Sequence, residues 1–462
     1  MKNVALHNLG CKVNSYEIEV MQENLEKNGY KIVPFAPGAD VYIINTCTVT
    51  NIADRKSRQM LHKAKKMNPD AIVVAVGCYV QTGTENVKQD ECIDLAVGNN
   101  RKKDIVSILE EFLKEKEADR ADKTLHETTI PDINDGKQEY EEMTLTRAGE
   151  HTRAYIKIQD GCNQFCSYCI IPYARGRVRS RKEEDILKEV KGLVEAGYKE
   201  VVVTGIHLSS YGLDFINKDS GDYLQGVDIR TQAYNKGYLL DILEKINKIE
   251  GLERIRIGSL EPRIITKEFA LRLKALNKLC PHFHLSLQSG CNETLKRMNR
   301  HYTVEEFGEK LAKLKEKLPS VSITTDVITG FPNETEEEFN KTYEWIKEMH
   351  FNQLHVFPYS PRRGTPAAKM SGQVHGNIKH ERVKKLMELS HELQREFAES
   401  QIGHTLDVLI EEKQNGMMVG HASNYLKVRV DLPEESVGHI YKVKIESIDD
   451  VELIGSVTDE TN

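Results

Sequence analysis

Short apolar runs alternate with amphipathic helical stretches along most of this chain, and that alternation restricts it to a narrow set of folds. In residues 1–100 the runs VALHNL, VYIINT and AIVVAV read as strands buried on both faces, and DLAVG near residue 96 reads as a fourth. Between them, SYEIEVMQENLEKNG and ADRKSRQMLHKAKKMN carry helical periodicity. Such alternation predicts a parallel α/β sheet. Residues 115–147 are polar and acidic, contain Pro131 and Gly136, and show no sustained period, so they read as a linker. From about residue 152 the pattern resumes, with YIKIQ, EVVVTG, RIRIGSL, HFHLSLQ, ITTDVITG and QLHVFPYS as strands. Six such units predict a barrel or partial (β/α) barrel, with its site at the C-terminal ends of the strands. The span 215–237 breaks the rhythm and reads as an inserted loop. After a charged helix over 381–400 come TLDVLIEE, GMMVGHAS, YLKVRVDL, HIYKVKIES and DVELIGSV. Five short strands in so few residues predict a small β-barrel of a kind used to bind nucleic acid. The expected domains are 1–145, 146–400 and 401–462.

With 462 residues, 39% of them hydrophobic, the chain can build several cores. It has no run of about 18 apolar residues, so no membrane span is expected. The opening MKNVALHNLGC lacks a signal-peptide apolar region, which makes a cytoplasmic protein the expectation. In that compartment nine cysteines point to metal or redox chemistry rather than to disulfides. The net charge of −7 lies entirely in residues 401–462, which hold 5 Lys+Arg and 12 Asp+Glu. Basic surface must therefore come from local clusters. One is Arg55-Lys56-Ser57-Arg58 with Lys63, Lys65 and Lys66; the other is Arg175 to Lys182. Each is read either as a solvated or structural set, or as a phosphate-binding one.

Cys162, Cys166 and Cys169 follow the strand YIKIQ in the loop DGCNQFCSYC, with spacing C-x3-C-x2-C. Thiolates ligate iron–sulfur clusters, and close spacing lets one loop wrap a cluster. A four-iron cubane held by three cysteines keeps one iron open for a reactant. The amino and carboxylate groups of S-adenosylmethionine would chelate it, and one electron would then yield a 5′-deoxyadenosyl radical. Tyr168 would pack against the adenine. The competing readings are a zinc site, which would want a fourth Cys or His nearby, and free core cysteines.

Cys11, Cys47 and Cys78 form a less obvious set, 36 and 31 residues apart, each just after a predicted strand. In a parallel sheet these ends share one edge, so the three should converge and suit a second cluster with an open iron. The alternative is three unrelated buried cysteines. Cys92, Cys280 and Cys291 fit no ligand pattern and read as structural.

Taken with LGCKVNSYE, INTCTVT, VGCYVQ, DGCNQFCSYCIIPYARGRVRSR, TGIHLSSYG, LSLQSGCNETLKRMNRHYT and TDVITGFPNETEEEF, the chain resembles the radical S-adenosylmethionine methylthiotransferase family over nearly its whole length. The resemblance implies an N-terminal methylthiotransferase domain, a radical-SAM partial barrel and a C-terminal TRAM-like barrel. It implies two 4Fe–4S clusters and S-adenosylmethionine as cofactors. Sulfur would be methylated at the Cys11/Cys47/Cys78 cluster, and a radical made at the Cys162/Cys166/Cys169 cluster would prepare the substrate carbon. LGCKVNSYE and TGIHLSSYG look most like members that act on N6-threonylcarbamoyladenosine beside the tRNA anticodon. Members acting on a ribosomal protein usually have proline after the first cysteine, where this sequence has Lys12. The implied partners are tRNA, an electron donor and a sulfur source. Other substrates in view are a ribosomal protein and isopentenyladenosine in tRNA; a reading of another class is a non-catalytic RNA-binding iron–sulfur protein. Gly205, Ser259, Glu261, Gln288 and Asp326 end predicted strands and are expected to line the S-adenosylmethionine cavity, without an assigned catalytic step.

Overall fold

The computed structural model describes residues 2–117, 130–136, 138–147, 152–216 and 228–458. Its first sheet is five-stranded and wholly parallel, in the order β2-β1-β3-β4-β5. The strands are β1 (Asn3–Asn8), β2 (Lys31–Ile32), β3 (Val41–Thr46), β4 (Ile72–Gly77) and β5 (Leu95–Val97). All six residues of β3 and of β4 are buried. A strand apolar at every position needs cover on both faces, and two helices supply it. α1 (Lys12–Lys27) sets Tyr16, Met21 and Leu25 against Val4, Ile43 and Val74. α2 (Asn51–Met67) sets Leu61 and Ala64 against Tyr42, Ile44, Val73 and Ala75 on the other face.

The central unit comprises two four-stranded sheets, ordered β7-β6-β8-β9 and β10-β11-β12-β13. The strands are β6 (Arg153–Asp160), β7 (Arg179–Ser180), β8 (Glu200–Gly205), β9 (Arg254–Ile257), β10 (Ser259–Leu260), β11 (His282–Gln288), β12 (Ser322–Thr329) and β13 (Gln353–Pro358). RIRIGSL, expected as one strand, breaks at Gly258 and gives one strand to each sheet, which makes the corner. β6 and β13 are not paired, so the barrel is partial and open along one side. α3 (Ile105–Glu117) follows β5 and packs beside α1, and α4 (Glu183–Glu195) extends the apolar layer outside the central strands.

The N-terminal unit spans that opening, because it contacts both edges. Glu17 of α1 meets Lys157 of β6 at 2.9 Å. At the other edge, beyond β13, Arg362 donates to Thr48 (2.7 Å), Asn51 (2.7 Å) and Asp54 (2.6 Å) at the start of α2. The carboxyl edge of the first sheet is thereby turned toward the barrel.

α5 (Gly376–Glu399) runs along β13 and leads to β14 (Thr405–Gln414), β15 (Met417–Ala422), β16 (Lys427–Val430), β17 (Ile440–Asp449) and β18 (Glu452–Val457). These five close into a barrel ordered β14-β15-β16-β18-β17 around Val408, Ile410, Val428, Val443 and Leu453. The barrel docks on the amino ends of the central strands. Arg254 and Arg256 donate to the carbonyls of His421, Ala422 and Ser423, and Tyr425 stacks on His282 with centroids 4.7 Å apart.

One expectation needs correcting. Within the expected linker, residues 130–136 and 138–147 are packed rather than free. Tyr140 donates to the Lys157 carbonyl at 2.7 Å, and the Leu145 amide donates to Glu189 at 2.6 Å. Glu141, Met143 and Leu145 are buried in alternation. A carboxylate in the first buried position hid that period of two from a hydropathy reading. Residues 118–129, and 217–227 of the expected insertion, lie outside the described residues. No helix among the described residues is long and apolar enough to cross a membrane.

Candidate functional site

Three strand ends deliver the first cysteine set. Cys11 begins three residues after β1 and caps α1, Cys47 directly follows β3, and Cys78 directly follows β4. A network of side-chain amides stitches these ends together. Asn14 donates to the Leu9 carbonyl (2.7 Å) and the Thr46 carbonyl (3.1 Å), and Asn45 donates to the Asn14 carbonyl (2.9 Å). Gly10 has φ +111°, and a side chain there would meet the Cys47 Sγ at 3.1 Å. The three thiols act on one another: burial pushes the Cys47 thiol up to about 11, with further upward pushes from Cys78 and Cys11. Cys11 is raised by burial as well, against the pull of Arg175. Cys11 is nonetheless solvent-accessible, whereas Cys47 and Cys78 are buried, so the set opens on its Cys11 side.

The second set lies in the loop after β6. Gly161, with φ +71°, is compulsory here, because a Cβ would fall 1.8 Å from the Arg177 carbonyl oxygen. The segment 297–300 holds the loop: Ser167 donates to the Arg297 carbonyl (2.7 Å) and Asn299 to the Phe165 carbonyl (2.9 Å). Burial raises Cys162, and burial with Cys166 nearby raises Cys169 to about 12. Cys11, Cys47, Cys162 and Cys169 are therefore thiols until a metal displaces their protons. Sulfur acceptors already have donors: the Gln164 amide at 3.5 Å from Cys162, Arg300 at 3.4 Å from Cys166, and Asn99 at 3.6 Å from Cys78.

The two sets share supports. Asn99 also donates to the Ala174 carbonyl (2.7 Å), just beyond the second loop. Arg175, fully buried, donates to Glu17 (2.8 Å) and to Asn14 (2.6 Å), whose Oδ1 lies 4.0 Å from the Cys11 Sγ. Lys102, Lys157 and Asp160 complete this hub. Burial opposes ionisation of Glu17, but Arg175, Lys102 and Lys157 outweigh it and hold its carboxyl well below the usual range. Arg181 is likewise buried and paired with Glu189, and Arg179 donates to the Arg175 carbonyl. Of the basic loop Arg175 to Lys182, three arginines are thus structural, and Arg177 lies exposed over the Phe165 ring at 4.4 Å.

Glu261 accepts from Arg263 at 2.7 Å, and Arg263 reaches Gln164 at 3.1 Å, which ties a strand end to the cysteine loop. Gly205 ends β8 against Gln159, Ser259 is exposed at the start of β10, and Gln288 ends β11 with φ +74°. Tyr168 meets Phe331 edge-on at 6.4 Å in a small apolar cluster with Met298 and Tyr359. Asp326 lies lower in the barrel, 3.1 Å from His284. Sequence reasoning missed Arg300, Arg263 and Asn99 as sulfur- and loop-binding groups. Arg300 lay inside the motif MNRHYT, but only the fold brings it to Cys166. His207 was missed too; its Nε2 is buried with no partner among the described residues, and burial with Arg300 and Arg263 lowers its pKa to about 3. Tyr234, from the expected insertion, accepts from Gln164 at 3.3 Å, so that span reaches the cysteine loop.

The donor sets fit iron–sulfur clusters. A tetrahedral zinc with bonds of about 2.3 Å brings its sulfurs to about 3.8 Å of one another. Among the described residues, three ligand atoms converge within 4.8 Å only at His62, Asp90 and Cys92. Each cysteine triad is wider than that, as a multi-iron group requires, and the orphaned His207 nitrogen supplies an unpaired polar atom near Arg300 and Arg263.

Comparison with known proteins agrees with this arrangement. The Radical SAM superfamily pattern matches residues 156–346, and that of Uncharacterized protein family UPF0004 matches 3–98. The chain is 42% identical to "Threonylcarbamoyladenosine tRNA methylthiotransferase MtaB" of Bacillus subtilis, over 96% of its length and 94% of the relative's. It is 40% identical to the protein of the same name from Aquifex aeolicus, over 96% and 100%. It is 37% identical to "tRNA-2-methylthio-N(6)-dimethylallyladenosine synthase" of Moorella thermoacetica, over 87% and 85%. In fold it resembles the radical S-adenosylmethionine methyltransferase TsrM of Kitasatospora setae, with a TM-score of 0.55 at 16% identity over 90% and 80% of the two chains.

Proposed function

Because the chain belongs to the radical S-adenosylmethionine methylthiotransferases, we propose that it methylthiolates N6-threonylcarbamoyladenosine in tRNA, in the cytoplasm, to give the 2-methylthio derivative. The observation that carries the reading is the pair of cysteine triads joined through Asn99 and Arg175. The relatives that match nearly end to end at 40% and 42% identity carry that activity in their names.

Cys162, Cys166 and Cys169 would hold the cluster that binds S-adenosylmethionine, and Cys11, Cys47 and Cys78 would hold the other. When bound, the two 4Fe–4S clusters and S-adenosylmethionine would supply the radical, the methyl group and an open iron to hold the sulfur that an external source provides. The protein's own part is positional. Arg300 and the amides of Gln164 and Asn99 donate to the ligand sulfurs. The Glu17–Arg175 hub fixes one triad relative to the other. The N-terminal unit covers the open side of the barrel, and the C-terminal barrel covers its floor, so the cavity is shielded from bulk water at two sides. An external one-electron donor and a sulfur source complete the reaction.

The cationic surface for RNA is on α2 and not on the acidic C-terminal barrel. Arg55, Lys56, Lys63 and Lys66 are exposed there and make no ion pair among the described residues. With Arg58 and His62, the first, third and fourth of these line a shallow groove of about 500 Å³. Unpaired surface cations of this kind suit phosphates.

Nucleoside analysis of tRNA from a strain lacking the gene tests the reading. The 2-methylthio-N6-threonylcarbamoyl nucleoside should disappear, its unmethylthiolated parent should accumulate, and the chain with all six cysteines should restore it. Unchanged levels in the deletion strain contradict the assignment.

A further inference from the structure

We propose that Lys12 is the substrate-selecting cation of this site, binding the threonyl carboxylate of the modified adenosine; the inference rests on the substrate reading above. Lys12 follows the ligand Cys11 directly and opens α1. That is an unfavourable place for a lysine, since the amino end of a helix already carries partial positive charge. No acidic residue in the first turn offsets it. A local rule broken without compensation marks a position kept for another purpose.

The surroundings define that purpose. Lys12 is solvent-exposed, yet its amine lies inside the molecule, 5.8 Å from the centroid of Tyr425 at the barrel floor. The charged groups acting on it are the Arg153 and Arg256 guanidiniums and the Glu200 carboxylate. The nearby carboxylates are already engaged. Glu200 holds Arg254 (2.9 Å) and Arg256 (2.8 Å), Glu411 holds Arg153 (3.2 Å) and His421 (2.8 Å), and Asp326 holds His284 (3.1 Å). Lys12 itself makes no hydrogen bond or ion pair among the described residues. Its amine therefore stands one residue from Cys11 with only the Tyr425 ring beside it. A ligand bearing a carboxylate would give it a partner.

Substrate chemistry sets the geometry. The N6 substituent and C2, the carbon that receives the methylthio group, lie on the two sides of ring nitrogen N1. Anchoring the substituent's carboxylate at Lys12 therefore brings C2 to the side of the cavity where Cys11 stands. An adenosine with an apolar N6 group offers Lys12 no anion and leaves its charge unpaired.

The test is equilibrium binding of cluster-loaded protein, kept anaerobic, to anticodon stem-loop RNAs differing only at one adenosine: unmodified, N6-isopentenyl, N6-threonylcarbamoyl, or the methyl ester of the last. The wild type should prefer the threonylcarbamoyl RNA to its ester by about tenfold, the size of one charge-assisted hydrogen bond. Lys12→Met should abolish that preference while binding the ester and unmodified RNAs as the wild type does, and Lys12→Arg should keep most of it. Iron content and unfolding midpoint identify any variant that fails to load, and the ester comparison on the wild type needs no variant. Equal wild-type affinity for acid and ester, or an undiminished preference in Lys12→Met, overturns the role of Lys12 alone. A wild type that prefers the isopentenyl RNA overturns the substrate reading, and with it this inference.

Discussion

Glu17 shows how much rests on single buried side chains. It sits between Arg175, Lys102 and Lys157, all buried, and with Asp160 it offsets two of their three charges. Removing one carboxylate leaves buried cations uncompensated, which typically costs about 3–5 kcal/mol. Glu17→Gln should therefore lower unfolding stability by that order in denaturant titrations; a loss below about 1 kcal/mol would contradict the hub. The pH sign follows from the same contacts. Arg175 and Lys157 depress the carboxyls of Glu17 and Asp160 against the opposing effect of burial. Their contribution is complete above the unfolded carboxylate pKa near about 4 and is lost as pH falls further, so Glu17→Gln should flatten the acid limb of the stability profile. Arg300 supports a prediction about electron affinity. Its guanidinium donates to Cys166, and removing a cation beside a cluster stabilises the oxidised form. Arg300→Met should shift the midpoint potential of that cluster to more negative values in a spectroscopic redox titration, and an unchanged or more positive potential would count against the contact. The cysteines were legible in the sequence because their spacing and strand-end placement are local signals. Arg300, Asn99 and His207 were not, since each acts across a long stretch of chain. The basic loop was ambiguous for the same reason: the buried acids that claim Arg175 and Arg181 come from α1, β6 and α4.

At the scale of elements, continuous apolar runs located the strands well. VYIINT, EVVVTG and HFHLSLQ fall on β3, β8 and β11 residue for residue. The two-residue strands β2 and β7 were not readable, because pairing and not hydropathy defines them. The packed segment 138–147 shows no apolar period in the sequence, since the burial of Glu141 depends on the Lys103 amide donating to it at 2.8 Å. The cysteine loop of the central unit depends on its glycine hinge. Gly161→Ala forces a clash with backbone oxygen at a left-handed position, so the loop cannot keep its shape. Anaerobic reconstitution of that variant should give about four irons instead of about eight, with the N-terminal set still loaded. A full complement of iron would show that the loop does not need this turn.

For the whole molecule, the three units were readable as separate patterns, but their mutual placement was not. Only the folded chain shows that the first sheet spans the open side of the central barrel and that Tyr425 reaches its floor. With residues 401–462 acidic, the exposed Arg55, Lys56, Lys63 and Lys66 of α2 carry the surface proposed to face phosphate. Lys63→Glu with Lys66→Glu should weaken binding of modified and unmodified stem-loops alike and reduce the salt dependence by about two counter-ions. Unaltered affinity in a filter-binding series would move the interface elsewhere. The central claim is that one chain holds two independent clusters around one cavity. The direct measurement is anaerobic iron and sulfide content of the wild type and of two triple variants, Cys11/Cys47/Cys78→Ala and Cys162/Cys166/Cys169→Ala. About eight of each in the wild type and about four in either variant is the expected result; if either triple variant loses all its iron, or keeps all of it, the two-site account is contradicted.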